Sequence, residues 1–262
     1  MHNFDYHKPS SLDDAVKALG SGEDTTLVAG GMTLIPTMKQ RLAAPSDLVD
    51  LGAVKELVGI TDDGDSVTIG AMTTHAAVAS SKEVPESLAA LAGNIGDAQV
   101  RNRGTIGGSI ANNDPAADYP AACLGLGATI KTSARQVSAA DFFTGLFETD
   151  LAEDEIIVSV SFPKPEKAAY VKFDNPASRY ALVGVFVAKT AGGVRVAVTG
   201  AGQNGVFRVP EMEQALSANW SADALSGIAV DPDTLNADIH ASAEYRSHLI
   251  TVMAKRAVAA AG

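Results

Sequence analysis

Two glycine-pair motifs constrain this chain more than any other feature of its sequence. The first occupies residues 29–33 (AGGMT), and the second occupies residues 104–109 (GTIGGS). Because glycine lacks a Cβ, neighbouring backbone N–H groups in such a segment can point into one concavity and bind phosphate oxygens. One motif would suit a single phosphate, whereas two motifs suit a pyrophosphate held from both sides. The pair therefore predicts two loops that bind a dinucleotide.

Both glycine pairs lie within longer patterns that resemble a known family. Residues 29–42 have the sequence AGGMTLIPTMKQRL, and residues 101–118 have the sequence RNRGTIGGSIANNDPAAD. These patterns are similar to those of the FAD-binding (medium) subunits of molybdenum hydroxylases, above all the medium subunits of aerobic carbon monoxide dehydrogenases. The segments FDYHKP at 4–9, IGAMTTH at 69–75 and AEYR at 243–246 also fit. The resemblance thus covers nearly the whole chain.

The resemblance implies an α+β fold in two parts. The first part is a bipartite FAD-binding domain of the vanillyl-alcohol-oxidase-like (PCMH) type, and the second is a smaller C-terminal α+β domain. The proline-rich, charged segment PKPEK at 163–167 is typical of a linker. We therefore expect an FAD-binding domain at 1–165, with subdomains at about 1–55 and 56–165, and a C-terminal flavoprotein domain at 166–262.

Hydrophobic periodicity predicts the elements within these parts. Before the linker it predicts strands at 25–29, 48–51, 66–71, 128–132 and 155–162, and helices from Ser10 or Ser11 and at 74–80, 85–93 and 119–126. After the linker it predicts strands at 169–173, 182–189 and 194–199, then helices beginning near Pro210, Ser221 and Ser242.

The predicted cofactor-binding residues come from the two motifs and from two further positions. The resemblance implies that Asp118 holds hydroxyl groups of the flavin nucleotide and that Tyr180 lies near the isoalloxazine ring. A core tyrosine in a strand is the alternative for Tyr180. Asp114 could bind the nucleotide too, or cap a helix that starts at Pro115. The full predicted set is Ala29, Gly30, Gly31, Met32, Thr33, Thr105, Ile106, Gly107, Gly108, Ser109, Asp118 and Tyr180.

At two positions the chain departs from the pattern of the family. Relatives often carry histidine at the place of Met32 and aspartate at the place of Arg179. The first change removes an imidazole near the cofactor but leaves the backbone N–H groups in place. The second leaves open whether Arg179 alters the tuning of the flavin.

Several kinds of site are absent from the sequence pattern. The five histidines show no metal-binding spacing, and no nucleophile or acid–base pair is evident, so no catalytic or metal residue is predicted. Cys123 is the only cysteine, which excludes an iron–sulfur cluster ligated by this chain alone and favours a packed apolar role. Residues 200–205 (GAGQNG) match a dinucleotide fingerprint formally, but an extended segment with a proline follows instead of a helix. We predict a turn between strands there.

Charge and hydropathy indicate which classes of binding partner and which compartment to expect. The net charge of −11, without a cluster of basic residues, argues against a nucleic-acid partner. No apolar run approaches the roughly 20 residues of a transmembrane helix, and no secretory signal is evident. A cytoplasmic protein is expected, attached to the inner face of the membrane only through a complex, if at all.

The resemblance implies an oxidoreductase function. It places the molybdopterin cofactor on a large partner subunit and [2Fe–2S] clusters on a small one, in a dimer of heterotrimers. Electrons would pass through the FAD of this chain to a quinone, oxygen or NAD. The alternatives are a self-sufficient FAD-dependent oxidase and an FAD-free assembly or scaffold homologue. Carbon monoxide, an aldehyde and an N-heterocycle all remain open as the substrate of the complex.

Overall fold

The computed structural model describes residues 1–262 as three sheets with helices packed between and around them, plus a two-stranded hairpin. None of the helices combines the length and the apolar character that a bilayer crossing requires. All the predicted strands are present, and so are the predicted helices with one exception. The segment that begins near Ser221 forms only a short 3₁₀ turn, Ala222–Leu225, instead of a helix.

The first sheet is parallel and has the strand order β1-β3-β2. Its strands are β1 (Asp5–His7), β2 (Thr25–Val28) and β3 (Asp47–Asp50). Helix α1 (Leu12–Leu19) is capped by Ser11, whose hydroxyl accepts the Asp14 N–H, so the helix start predicted at Ser10 or Ser11 is confirmed. Helix α2 (Leu34–Lys39) follows the first glycine motif. That motif therefore joins the carboxyl end of β2 to a helix.

The second sheet is antiparallel and has the order β4-β5-β10-β6-β7. Its strands are β4 (Ile60–Asp62), β5 (Ser66–Gly70), β6 (Thr129–Thr132), β7 (Gln136–Ser138) and β10 (Ile157–Pro163). The hairpin consists of β8 (Phe143–Gly145) and β9 (Glu148–Thr149). The helices of this part are α3 (His75–Ser80), α4 (Glu86–Gly93), α5 (Ala98–Arg103), α6 (Ile106–Asn112), α7 (Tyr119–Leu126) and α8 (Ala139–Phe142).

The third sheet is antiparallel and runs in chain order from β11 to β14. Its strands are β11 (Lys167–Asp174), β12 (Ala181–Thr190), β13 (Gly193–Thr199) and β14 (Phe207–Arg208), and its helices are α9 (Pro210–Ala218) and α10 (Ala243–Ala261). The turn predicted at 200–205 is confirmed, because this segment connects the antiparallel strands β13 and β14.

Helix α7 lies at the centre of the molecule. All of its residues are buried, and it contacts β10 of the second sheet and β12 and β13 of the third. Cys123 is fully buried within it, which confirms the predicted packed role. The third sheet lies between α7 and α10, because alternate side chains of β12 pack on opposite faces of the sheet. Phe186 packs towards α7, and Val185 and Val187 pack towards α10.

The second glycine motif is not a loop, because its glycines form the first turn of α6. Glycine disfavours helix by up to about 1 kcal/mol, but Ile106 and Ile110, one turn apart and fully buried, stabilise this one through packing.

The division at residue 165 stays a prediction. Only Lys164, Pro165 and Glu166 separate β10 from β11, and the largest hydrophobic cluster runs across the boundary.

Candidate functional site

A cavity of about 730 Å³ lies between the first and second sheets and the start of the third. Its walls include four segments that are distant in sequence. They are the first glycine motif, the turn at Ile95 and Gly96, the stretch from Gly104 to Asp118, and the connection from Ser178 to Tyr180. A cavity of this volume falls within the range typical of cofactor sites.

The first glycine motif presents unpaired backbone donors to this cavity. The N–H groups of residues 29–33 donate to no backbone or side-chain acceptor of the protein, although all five residues line the cavity. The carbonyls of Gly31 and Thr33 are used, because they accept from Ile35 and Thr37 in helix α2. A row of free donors at the start of a helix is the arrangement that binds phosphate oxygens.

The second motif uses part of its backbone for its own support. Ile106 N–H donates to Thr73 O (3.1 Å) and Gly107 N–H donates to Ala71 O (2.8 Å), while the Thr105 hydroxyl accepts the Gly108 N–H (3.2 Å). A Cβ added to Gly107 would lie 2.6 Å from the Cβ of Ala71, so this glycine is required for packing. The hydroxyl of Ser109, which lines the cavity, makes no hydrogen bond within the protein.

Gly30 brings the two motifs together. A Cβ added to Gly30 would lie 2.7 Å from the carbonyl carbon of Arg103 and 2.9 Å from the Cα of Gly104. Only a residue without a side chain allows this approach of two backbones. The geometry therefore places the free donors of the first motif beside the second motif, on one side of the cavity.

Asp118 is a buried carboxylate of which only one oxygen, Oδ1, has partners within the protein. Its Oδ1 accepts from the Tyr170 hydroxyl (2.6 Å) and lies 3.1 Å from the Lys172 ammonium, whereas Oδ2 accepts from no protein group. Burial raises the pKa of the Asp118 carboxyl, and the Lys172 and Tyr170 contacts act in the opposite direction. Since Asp118 also lines the cavity, Oδ2 can accept a hydrogen bond from a ligand hydroxyl.

Tyr180 lies at the edge of the cavity, on the segment 175–180 that connects β11 to β12. We call this segment the strap. It is a tight turn in which the Asn175 side-chain Oδ1 accepts the N–H groups of Ala177 and Ser178. The backbone N–H of Asn175 donates to Tyr180 O. Arg179 has a positive φ of 62° and points its guanidinium towards the Gly96 carbonyl. The tyrosine ring is 45% exposed, so it is available to a cofactor and is not a core side chain.

His75, the first residue of α3, lies in the wall of the cavity and is 5% exposed. Burial, and then the charge of Arg101, lower the pKa of His75 to about 4, so the imidazole is neutral at pH 7. Its Nδ1 is buried without a hydrogen-bond partner. Because a buried N–H without an acceptor is costly, we assign the proton to Nε2.

The lowered pKa of His75 predicts that the protein loses stability in acid. The folded-state pKa of about 4 lies below the ordinary 6.5, so the unfolded chain binds the proton first as pH falls below 6.5. The free energy of unfolding should fall by about 2 kcal/mol between pH 7 and pH 5 on this account. Urea unfolding at both values of pH should show this loss in wild type and in the exposed-site control His248→Gln, and a smaller loss in His75→Gln. An equal loss in all three proteins would contradict the assignment.

The structure brings eleven of the predicted residues to the cavity, namely Ala29, Gly30, Gly31, Met32, Thr33, Thr105, Gly107, Gly108, Ser109, Asp118 and Tyr180. Ile106 does not reach it, because its side chain is fully buried in the core. Asp114 lines the cavity and caps the turn before α7 through the Ala116 N–H rather than the helix itself. Neither Tyr170 nor Lys172 was predicted. Their spacing of two in a strand, with both side chains on one face, was the available signal.

Comparison with known proteins agrees with this geometry. A family profile described as the FAD binding domain in molybdopterin dehydrogenase matches residues 2–165. The nicotine 6-hydroxylase medium subunit of Paenarthrobacter nicotinovorans is 36% identical over 274 residues, covering 98% of this chain and 96% of that protein. The carbon monoxide dehydrogenase medium chain of Afipia carboxidovorans is 36% identical over 280 residues, with the same coverage of each chain.

Solved structures give the same result. A chain of carbon monoxide dehydrogenase from Hydrogenophaga pseudoflava, in a form that lacks the Mo-pyranopterin moiety, matches with a TM-score of 0.85 and 35% identity. The match covers 99% of this chain and 97% of that one. The predicted fold class and the family resemblance are both confirmed. The chain belongs to the family of FAD-binding domains in molybdopterin dehydrogenases.

Proposed function

We propose that this chain is the FAD-carrying subunit of a molybdenum-containing hydroxylase or dehydrogenase. In this role it takes electrons from [2Fe–2S] clusters of a partner subunit and passes them through FAD to an external acceptor. The observation that carries the proposal is the row of free N–H groups at residues 29–33, in a cavity of about 730 Å³. Relatives of nearly the same length are medium subunits of hydroxylase and dehydrogenase complexes.

The residues present fit FAD at three points. The free donors of residues 29–33, together with the Ser109 hydroxyl that also lines the cavity, suit a pyrophosphate without a cationic side chain. Asp118 Oδ2 suits a sugar or ribityl hydroxyl. Tyr180, at the edge of the cavity, supplies an aromatic ring for an isoalloxazine. The chain's own task is to hold these groups and to control their access to water.

When bound, FAD supplies the redox chemistry of the subunit, because it can exchange electrons one or two at a time. The protein's contribution is orientation and electrostatics. We place the molybdopterin cofactor and the iron–sulfur clusters on partner subunits, in a dimer of heterotrimers. The predicted division into an FAD-binding domain at 1–165 and a C-terminal domain at 166–262 belongs to this proposal, with Tyr180 as the contribution of the second domain to the site.

The proposal is tested by the flavin that the purified chain binds. We expect a yellow protein whose flavin is released by acid precipitation, because no histidine or cysteine that could form a covalent link lies in the first motif. Titration of flavin-free protein should give much tighter binding of FAD than of FMN, since only FAD carries the pyrophosphate and a second nucleoside. Equal affinity for the two flavins, or no binding of either, would overturn the proposal.

A further inference from the structure

Lys172 is a buried cation that does not touch the cavity, yet it contacts three segments of its wall. The side chain is 4% exposed. Its ammonium donates to Asn94 O (2.9 Å) and to Arg179 O (2.9 Å), and it lies 3.1 Å from Asp118 Oδ1. Two of the three N–H donors of the ammonium thus reach backbone carbonyls, and its charge is paired with the Asp118 carboxylate. Asp174, half-exposed, lies further away at 3.8 Å.

Each of these acceptors belongs to a different part of the cavity. Asn94 follows α4 and directly precedes Ile95 and Gly96, which line the wall. Arg179 precedes Tyr180 on the strap, and Asp118 is the carboxylate with a free Oδ2. Lys172 itself lies on β11, outside the segment that contains the glycine motifs.

We infer that Lys172 is a positioning residue that fixes the strap and the Asp118 carboxylate relative to each other, and so sets the access of solvent to the flavin. This inference depends on the proposed function for its flavin, but not for the position of the strap. Within the strap, hydrogen bonds run only between its own residues, apart from Arg179 contacts to Gly96 and Lys172. The Lys172 bond is the shorter of these two, at 2.9 Å against 3.4 Å.

Tyr170 offers a way to separate the two tasks of Lys172. Its hydroxyl donates to the same Asp118 Oδ1 but makes no hydrogen bond with the strap. Tyr170→Phe should therefore weaken the hold on Asp118 alone, whereas Lys172→Met removes the hold on Asp118 and the strap together. Lys167→Met, at the exposed start of the same strand, is the matched control.

The first measurement uses flavin-free protein and tests the strap alone. Trypsin cleaves after arginine, and Arg179 is exposed. We expect cleavage after Arg179 to be faster in Lys172→Met than in wild type, Lys167→Met or Tyr170→Phe. Cleavage at the wild-type rate in Lys172→Met would overturn the inference whether or not the chain binds FAD.

The second measurement uses the FAD-loaded full chain and a readout that depends on the flavin itself. We expect Lys172→Met to bind FAD at least about tenfold more weakly, with greater quenching of flavin fluorescence by iodide and a shifted midpoint potential. Tyr170→Phe should bind FAD more weakly while iodide quenching stays at the wild-type level.

Lys172→Arg covers the case in which the methionine variant does not fold. Arginine keeps the charge beside Asp118, but its planar donors cannot reach the three acceptors in the same geometry. We expect a folded protein that retains FAD, with iodide quenching between those of wild type and the methionine variant. If quenching and potential in the arginine variant equal those of wild type, Lys172 only neutralises Asp118 and the inference is wrong. Wild type that binds no flavin would instead contradict the proposed function.

Discussion

Replacing Gly30 by alanine is expected to remove FAD from the purified protein. The added Cβ would lie 2.7 Å from the carbonyl carbon of Arg103 and 2.9 Å from Gly104 Cα, so the two glycine motifs must move apart. Hydrogen bonds to charged groups contribute about 1.5–3 kcal/mol each. Losing even one of them from the pyrophosphate would lower affinity by roughly tenfold or more.

The measurement is the ratio of FAD to protein after gel filtration, together with the affinity of flavin-free protein for FAD. Gly93→Ala is the matched control, because a Cβ there would meet Ala79 Cβ at an ordinary 3.8 Å. We expect the control to keep its FAD. If Gly30→Ala also keeps a full complement with unchanged affinity, the contact between the motifs does not shape the site.

Replacing Arg246 by methionine is expected to destabilise the whole chain by about 3 kcal/mol or more, because it leaves buried acceptors unpaired. The side chain is 3% exposed. Its Nη1 donates to Leu182 O (2.6 Å) and Gly200 O (2.9 Å), and its Nη2 donates to Asp238 Oδ2 (2.7 Å). The guanidinium thus ties α10 to the ends of β12 and β13.

Urea unfolding of Arg246→Met beside Arg256→Met would measure this effect. Arg256 lies on the same helix but is exposed, so its replacement should change the free energy of unfolding by less than about 0.5 kcal/mol. The loss of stability should extend to the cofactor site, because the Gly200 N–H donates to Pro115 O, in the segment that follows the second motif. Two variants of equal stability would refute the role assigned to Arg246.

The sequence predicted the regular parts of this fold because local pattern and tertiary packing agree there. Strand β12 is a continuous apolar run, and α7 is an apolar stretch that ends at Gly127, a glycine in the left-handed conformation. Helix α6 was missed because glycine propensity opposes helix, and only the burial of Ile106 and Ile110 stabilises it. Tertiary contacts of this kind are not visible to a local pattern.

The candidate site was predictable to the extent that its residues are contiguous. The motif around residues 29–33 identifies its own members, and they line the cavity together. Lys172 and Asn94 contribute through a lysine Nζ and a backbone carbonyl that meet across 78 positions of sequence. No spacing rule connects such residues, so only the folded chain reveals them. The FAD contacts of individual residues stay predictions until flavin binding is measured.

The buried helix α7 has a consequence for how this subunit can vary. Phe186 of β12 packs so closely on Gly125 that a Cβ there would lie 2.6 Å from the phenyl ring. A larger side chain at position 125 would therefore be accommodated only with a smaller one at position 186. Substitutions at the two positions must be inherited as a pair. This steric match limits exchange of parts between related chains wherever a junction separates residue 125 from residue 186.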